Sequence, residues 1–170
     1  MMLRQSMEQL ERNALTIAQI VQGVTDEEAR WRPELGKWSI VEVVNHLVDE
    51  EREDFRQRLD LTLRHPGEPW PPIDPEGWAV LRAYQERTLG ESIERFGNER
   101  RASIVWLKSL SDPDLDRAHK HPKFGEITAG TLLGSWVAHD LQHIRQLAHL
   151  RYLWFQQLAA PHNLNYAGPW

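Results

Sequence analysis

Hydrophobic residues recur at spacings of three and four along most of the chain, a pattern that predicts amphipathic α-helices. The first such stretch covers about residues 3–21. Gly23 and the run of residues 25–28 then predict a helix end and the start of a short extra helix, which stops in the loop of residues 33–36. The chain therefore begins with one long helix and one short helix.

A second long helix starts at a capping-box motif, in which Ser39 is followed three residues later by Glu42. Its hydrophobic repeat continues to about Leu63. The next stretch, from His65 to Pro75, contains five prolines in eleven residues and cannot stay helical. We therefore expect a rigid, proline-rich connector after the second helix.

The rest of the chain predicts two more long helices. Residues 75–110 contain no proline after the first position, so they predict a third helix, with a bend expected near Gly90 or Gly97. Thr128 is a suitable N-cap for a last helix that covers about residues 129–158.

These elements predict an all-α protein, a four-helix bundle with a short extra helix and a proline-rich connector. Alternating strand patterns are nearly absent. A chain of 170 residues with 41% hydrophobic residues can build one continuous core, so residues 1–170 are expected to form a single domain.

Composition and charge argue against several partners. The formal net charge of −5 disfavours a surface for nucleic acid, which needs clustered Lys and Arg. No apolar stretch approaches the roughly 20 residues that cross a bilayer. The first twenty residues lack the features of a secretion signal, so a soluble, cytoplasmic protein is expected. The mixed charge run of residues 49–58 is interpreted as a solvated helix face.

Two histidines of the last helix are the strongest chemical signal. His139 and His143 are four residues apart and project from one face. The same stripe carries hydrophobic residues that predict a buried face: Leu132, Trp136, Leu147 and Leu150. Two polar rings on such a face need a partner. Because the chain has no cysteine, a shared metal ion would be held by nitrogen and oxygen ligands; core histidines bonded to backbone carbonyls are the alternative.

His46 is the only histidine in the middle of another predicted long helix, and it is the candidate third ligand. Three imidazoles would leave coordination positions open, as in catalytic zinc sites. Glu42, Glu50 and Glu53 lie on the same side of this helix. Glu50, one turn after His46, is a candidate fourth ligand, outer hydrogen-bond acceptor or catalytic general base, with a solvated surface position as the alternative.

Three stretches of sequence resemble the DinB-like, or YfiT-like, family of metal-binding four-helix bundles: residues 38–47, 121–128 and 136–147. The resemblance implies that His46, His139 and His143 form the family's metal triad, with zinc or nickel as the ion. It also implies a low-molecular-weight thiol as a partner in a transferase-like or isomerase-like reaction. Together with the number of aromatic residues, it leads us to expect a homodimer.

The chain supplies no obvious nucleophile, since it lacks cysteine and no serine is paired to a base in a recognised spacing. An external thiol or water, activated by the metal for attack on a small electrophile, is the leading hypothesis. A thiol suits zinc or nickel because soft sulfur binds these ions well. A metal-dependent hydrolase is the alternative enzyme. A non-catalytic module that binds a metal or small ligand is the alternative from another class.

Overall fold

The computed structural model describes residues 1–170 and confirms a predominantly helical bundle. The helices are α1 (Met2–Ile20), α2 (Asp26–Arg30), α3 (Ile40–Asp49), α4 (Gln57–Arg64), α5 (Pro75–Leu81), α6 (Leu89–Ser109) and α7 (Ala129–Ala159). A π-helical segment, Glu50–Arg56, joins α3 to α4 without a break, and short 3₁₀ turns lie at Tyr84–Glu86 and Asn165–Ala167. No helix combines the length and the apolar character that crossing a lipid bilayer requires.

Side-chain caps begin the helices where the sequence predicted them. The Glu42 carboxylate accepts hydrogen bonds from the Ser39 backbone N–H at 2.9 Å and from its hydroxyl at 3.0 Å. The hydroxyl oxygen of Thr128 accepts the Thr131 backbone N–H at 3.0 Å. These bonds satisfy polar groups that a helix start leaves without intrahelical partners.

The four long helices run up, down, down and up. One hydrophobic cluster joins the C-terminal halves of α1 and α7 to α3 and to the N-terminal half of α6. A second joins the N-terminal halves of α1 and α7 to α4 and to the C-terminal half of α6. Helices α1 and α7 are therefore parallel to each other, and the α3–α4 helix and α6 run the opposite way. The proline-rich connector carries the chain back along the bundle between α4 and α6.

A polar layer separates the two hydrophobic clusters. On each long helix the buried stripe changes from apolar to polar residues between the parts that enter the two clusters. The polar or charged residues of this layer are Asn13, His46, Glu50, Glu51, Arg100, His139, Asp140 and His143. The candidate metal ligands thus lie in the middle of the bundle.

The predicted single helix over residues 75–110 is wrong, because the chain breaks between α5 and α6. Ala83 adopts the left-handed conformation with φ of 48°, and Thr88 caps a new helix start. The break allows both Arg82 and Tyr84 to reach Asp49 of α3. These contacts are made between distant elements, which explains why local periodicity did not reveal the break.

A short antiparallel hairpin precedes α7, where the sequence showed no strand pattern. Strand β1 (Ala118–His121) pairs with β2 (Gly125–Thr128), and His119 lies opposite Ile127. Each strand has four residues, which is too short for an alternating pattern to stand out. The hairpin packs beside α4 and the start of α7.

The charge run of residues 49–58 is not simply a solvated face. Asp49, Glu50 and Glu51 are 1%, 4% and 1% exposed. The desolvation cost of burying a carboxylate is offset when a cation or hydrogen-bond donor from another element binds it. Asp49 forms a salt bridge with Arg82, and Glu51 forms one with Arg100.

Candidate metal centre

Three imidazole nitrogens converge in the polar layer. The Nε2 atom of His46 on α3 lies 3.3 Å from Nε2 of His139 and 3.1 Å from Nε2 of His143, both on α7. The Nε2 atoms of His139 and His143 are 3.1 Å apart. The structure therefore brings together the three histidines that the sequence singled out.

Hydrogen bonds among the rings cannot account for this triangle. The Nε2 atom of a neutral imidazole either carries a proton or presents a lone pair. Among three Nε2 atoms, at least two must therefore both be donors or both be acceptors. Those two cannot form a hydrogen bond with each other. A cation that accepts a lone pair from each ring removes the conflict.

The spacing also fits a metal polyhedron. Zinc–imidazole bonds are about 2.0–2.1 Å long, so adjacent nitrogen ligands would be about 3.3–3.4 Å apart in a tetrahedron and about 2.8–3.0 Å apart in an octahedron. The observed separations of 3.1–3.3 Å lie between these values. The donor set fits a divalent ion bound on one triangular face.

Burial keeps the three rings neutral. Desolvation, followed by the neighbouring imidazoles, lowers the pKa of His46 to about 2. Desolvation, followed by the neighbouring His143 and Arg100, lowers the pKa of His139 to about 3. The pKa of His143 is also lowered, chiefly by burial. Neutral rings retain the lone pairs that metal binding needs.

An outer hydrogen-bond partner orients one of the rings, and a carboxyl group lies near a second. The side-chain carbonyl of Gln146 lies 2.7 Å from Nδ1 of His143, so Nδ1 donates its proton there and Nε2 keeps its lone pair. On the other helix, Nδ1 of His46 is buried without a hydrogen-bond partner, and Oε1 of Glu50, also unpartnered, lies 3.9 Å away. Glu50 therefore lies next to the ring nitrogen of His46 that faces away from the triangle.

The carboxyl group of Glu50 is in an unusual environment. Burial, reinforced by the nearby Asp54 carboxylate, raises its pKa well above the ordinary range for glutamate. Glu42 and Glu53, the other two acids on this side of the helix, are paired to Arg32 and Arg82. The structure thus places only Glu50 beside the histidines.

Aromatic side chains pack against the triad. The Trp38 ring centroid is 4.8 Å from that of His46, and the Phe55 centroid is 5.1 Å from that of His139. Phe55 in turn stacks on Trp136, which is 1% exposed. Aromatic rings therefore pack against two of the three imidazoles.

A buried ion network lies in the same layer and was missed by the sequence reasoning. The guanidinium of Arg100 forms bidentate pairs with Glu51, at 2.8 Å for both bonds, and with Asp140, at 2.7 and 2.9 Å. Arg100 also donates to the Leu10 carbonyl, and Trp136 donates to Glu51. The sequence feature that could have revealed this network is Arg100 itself, a charged residue on the buried stripe of α6.

An open pocket on α7 includes one histidine of the triad, His143. Its volume is about 600 Å³, and its lining comprises Gln142, His143, Arg145, Gln146, His149 and Trp170. Trp170, the last residue, stacks on Tyr152 with ring centroids 4.7 Å apart. A small molecule in this pocket would contact the candidate metal ligand His143.

Comparisons with known proteins agree with this geometry. A relative from Oceanobacillus iheyensis is 28% identical over 116 residues, which span 68% of this chain and 66%, just under two thirds, of that protein. YfiT from Bacillus subtilis is 27% identical over 143 residues, 83% of this chain and 79% of YfiT. The names of both assign them provisionally to the metal-dependent hydrolases.

The solved structure of YfiT shares the fold, which is described as an unusual four-helix bundle topology. It superposes with a TM-score of 0.78 at 24% identity, covering 88% of this chain and 86% of YfiT. The sequence profile of the DinB superfamily matches residues 9–147.

Proposed function

Because the chain belongs to the DinB superfamily, we propose that it is a divalent-metal-dependent hydrolase whose ion is held by His46, His139 and His143 through Nε2. The triangle of Nε2 atoms, with sides of 3.1–3.3 Å, is the observation that carries this proposal. The names of the relatives support hydrolysis as the reaction class.

Zinc or nickel is the proposed ion. Imidazole nitrogen suits both metals, and the absence of cysteine rules out thiolate ligands from this chain. When bound, the ion supplies Lewis acidity, which lowers the pKa of a coordinated water or thiol and stabilises developing negative charge.

The protein's own residues hold and orient the reacting groups. Gln146 fixes the proton of His143 on Nδ1, and Glu50 is placed to accept a hydrogen bond from Nδ1–H of His46 after a small side-chain shift from 3.9 Å. Glu50 is 4% exposed and adjoins the ring away from the triangle. We therefore assign it a positioning role in preference to that of a base that contacts substrate.

The pocket beside His143 binds the substrate in this proposal. Its lining contains no serine, threonine, cysteine or lysine that could attack a substrate. The proposed nucleophile is therefore an external water or thiol. Arg145 and the amides of Gln142 and Gln146 offer hydrogen bonds to a carbonyl or carboxylate.

Thiol transfer is the second candidate reaction. A pocket of about 600 Å³ has room for a low-molecular-weight thiol together with a small electrophile. Arg145 suits a carboxylate on such a thiol because guanidinium groups bind carboxylates in a bidentate manner. The protein would then remain a metal-dependent enzyme with a different nucleophile.

Metal analysis followed by activity screening tests the proposal. Purified protein should contain about one divalent ion per chain and should hydrolyse a small ester or amide without added thiol. His139→Ala should lose both properties. His162→Ala, which removes an exposed histidine of the C-terminal tail, should retain both. Turnover that requires a thiol would assign the second reaction, and full activity after chelation would contradict both.

A further inference from the structure

We propose that a second binding site, for a small oxyanion, lies between the proline-rich connector and the hairpin. A cavity of about 470 Å³ opens there. The connector contributes Trp70 and several prolines, the hairpin contributes His119, Lys120 and His121, and α4 contributes Arg58. None of these residues belongs to the metal centre.

Buried polar atoms without partners collect around this cavity. Nε of Arg58, Nε1 of Trp70 and Nδ1 of His119 are all buried and make no hydrogen bond. His119 is itself only 7% exposed. The ring nitrogen of Trp70 and Nε of Arg58 can only donate, so both require an acceptor. An unsatisfied buried donor costs stability, and two beside one cavity, next to an unpartnered imidazole nitrogen, indicate a missing acceptor.

The remaining side-chain chemistry also favours an anion. Nδ1 of His121 accepts the backbone N–H groups of Lys123 and Phe124 at 3.1 and 3.2 Å, so the other nitrogen of the ring, Nε2, carries a proton and donates. Lys120 has no ion-pair partner within 4.0 Å, and no carboxylate lines the cavity. Asp54 pairs with Arg58 at 2.9 Å, and the Arg58 guanidinium also donates to the Pro71 carbonyl at 3.2 Å, so Lys120 supplies the uncompensated positive charge of the lining.

Two neighbouring side chains contact the Trp70 ring. His119 stacks on it with centroids 4.3 Å apart, and the Arg58 guanidinium carbon lies 5.0 Å from its centroid. The N–H edge of the indole is buried in the cavity wall. The prolines on either side of Trp70 hold this edge in place, since their backbone has little freedom.

The chemistry selects an oxyanion with several acceptor atoms, either a phosphate or a carboxylate group. Charge-assisted hydrogen bonds from guanidinium, ammonium and indole groups match such an anion. The site is distinct from the metal centre, because Arg58 follows His46 by twelve residues, about 18 Å along a helix.

Nuclear magnetic resonance of the indole N–H groups tests this inference site by site. The chain has eight tryptophans, and Trp70→Phe identifies the Trp70 signal by its loss. Inorganic phosphate and acetate are titrated separately into the full chain, with sodium chloride at matched ionic strength as the reference. The Trp70 signal should shift and saturate with at least one oxyanion, in untreated and in chelator-treated protein alike. Tighter binding of phosphate assigns a phosphate group, and tighter binding of acetate assigns a carboxylate.

Lys120→Gln and Lys123→Gln form a matched pair of exposed variants. Only Lys120 lines the cavity, whereas Lys123 lies over Phe124. Lys120→Gln should weaken oxyanion binding about tenfold, as expected for losing one charge-assisted contact, and Lys123→Gln should leave it unchanged. A Trp70 signal that follows only ionic strength, or an equal effect of the two variants, would overturn the proposal.

Discussion

Gln146 and His143, three residues apart on α7, form a hydrogen bond of 2.7 Å between the amide oxygen and Nδ1 of the imidazole. This bond determines which ring nitrogen carries the proton. It leaves Nε2 of His143 with its lone pair directed at the other two histidines. The candidate metal site therefore depends on a residue that does not touch the ion.

Replacing Gln146 by Leu should weaken metal binding, because the His143 ring loses the acceptor that fixes its protonation and orientation. Loss of such an outer partner typically costs tenfold or more, up to about a hundredfold, in affinity. Competition with a chelator of known affinity measures the change. Gln142→Leu is the control, since Gln142 is exposed and makes no hydrogen bond to the triad. Equal affinity of the two variants would count against this role for Gln146.

Replacing His139 or His143 by Ala should abolish stoichiometric metal binding while leaving helical content nearly intact. Two hydrophobic clusters of 12 and 10 buried residues fold the bundle on either side of the site. Metal content and far-ultraviolet circular dichroism measure the two effects. Full-affinity binding in both variants would remove the triad as the metal site.

Arg100→Met should destabilise the fold strongly. It leaves the carboxylates of Glu51 and Asp140 buried without their shared cation, a loss of about 3–5 kcal/mol for a buried pair. Urea unfolding measures the free energy of unfolding of the variant. Arg101→Met, which changes the exposed neighbour on α6, should shift it by less than about 0.5 kcal/mol. Similar losses in the two variants would contradict the role of the network.

The Glu53–Arg82 pair predicts an acid-dependent contribution to stability. The hydrogen bond from Arg82 lowers the pKa of Glu53 to about 2, against about 4.3 in an unfolded chain. A group with a lowered folded pKa contributes stability above its unfolded pKa and loses it as pH falls through the folded value. Glu53→Gln should therefore be less stable than the parent at pH 7.

The stability difference between Glu53→Gln and the parent should shrink as pH falls from about 5 towards 2. Thermal unfolding across this range is the measurement. Glu8→Gln, on the exposed part of α1, provides a control in which the difference stays small at every pH. A gap for Glu53→Gln that is constant with pH would show that the ion pair is not its origin.

We predict a homodimer formed through the face between α1 and α6. Leu15 and Val105 are each 69% exposed and line a groove of about 620 Å³ on this face. Exposed hydrophobic groups that lie together are typical of protein interfaces. Light scattering at micromolar concentration should give twice the chain mass of 19.9 kDa. Leu15→Glu should give a monomer, whereas Leu35→Glu, in a fully exposed loop position, should not. A monomeric parent protein would contradict the prediction.

Local sequence determined the main helices and the pairing of two histidines. Helix starts at Ser39 and Thr128 follow from contacts within three residues. His139 and His143 share a face because four residues make about one helical turn. Such features depend on neighbours along the chain, so a sequence contains them directly. The choice of His46 as their partner came from its place in the second helix and from the family resemblance.

Tertiary structure decided which charged residues are buried and where the third helix breaks. Glu51 is buried because Arg100, 49 residues away, neutralises it, and Asp49 is buried because Arg82 and Tyr84 reach it from the break between α5 and α6. The free-energy cost of burying a carboxylate depends on its partner in space. The hydrophobic periodicity of one helix carries no information about a partner on another element. For this reason the charge run of residues 49–58 predicted a solvated face.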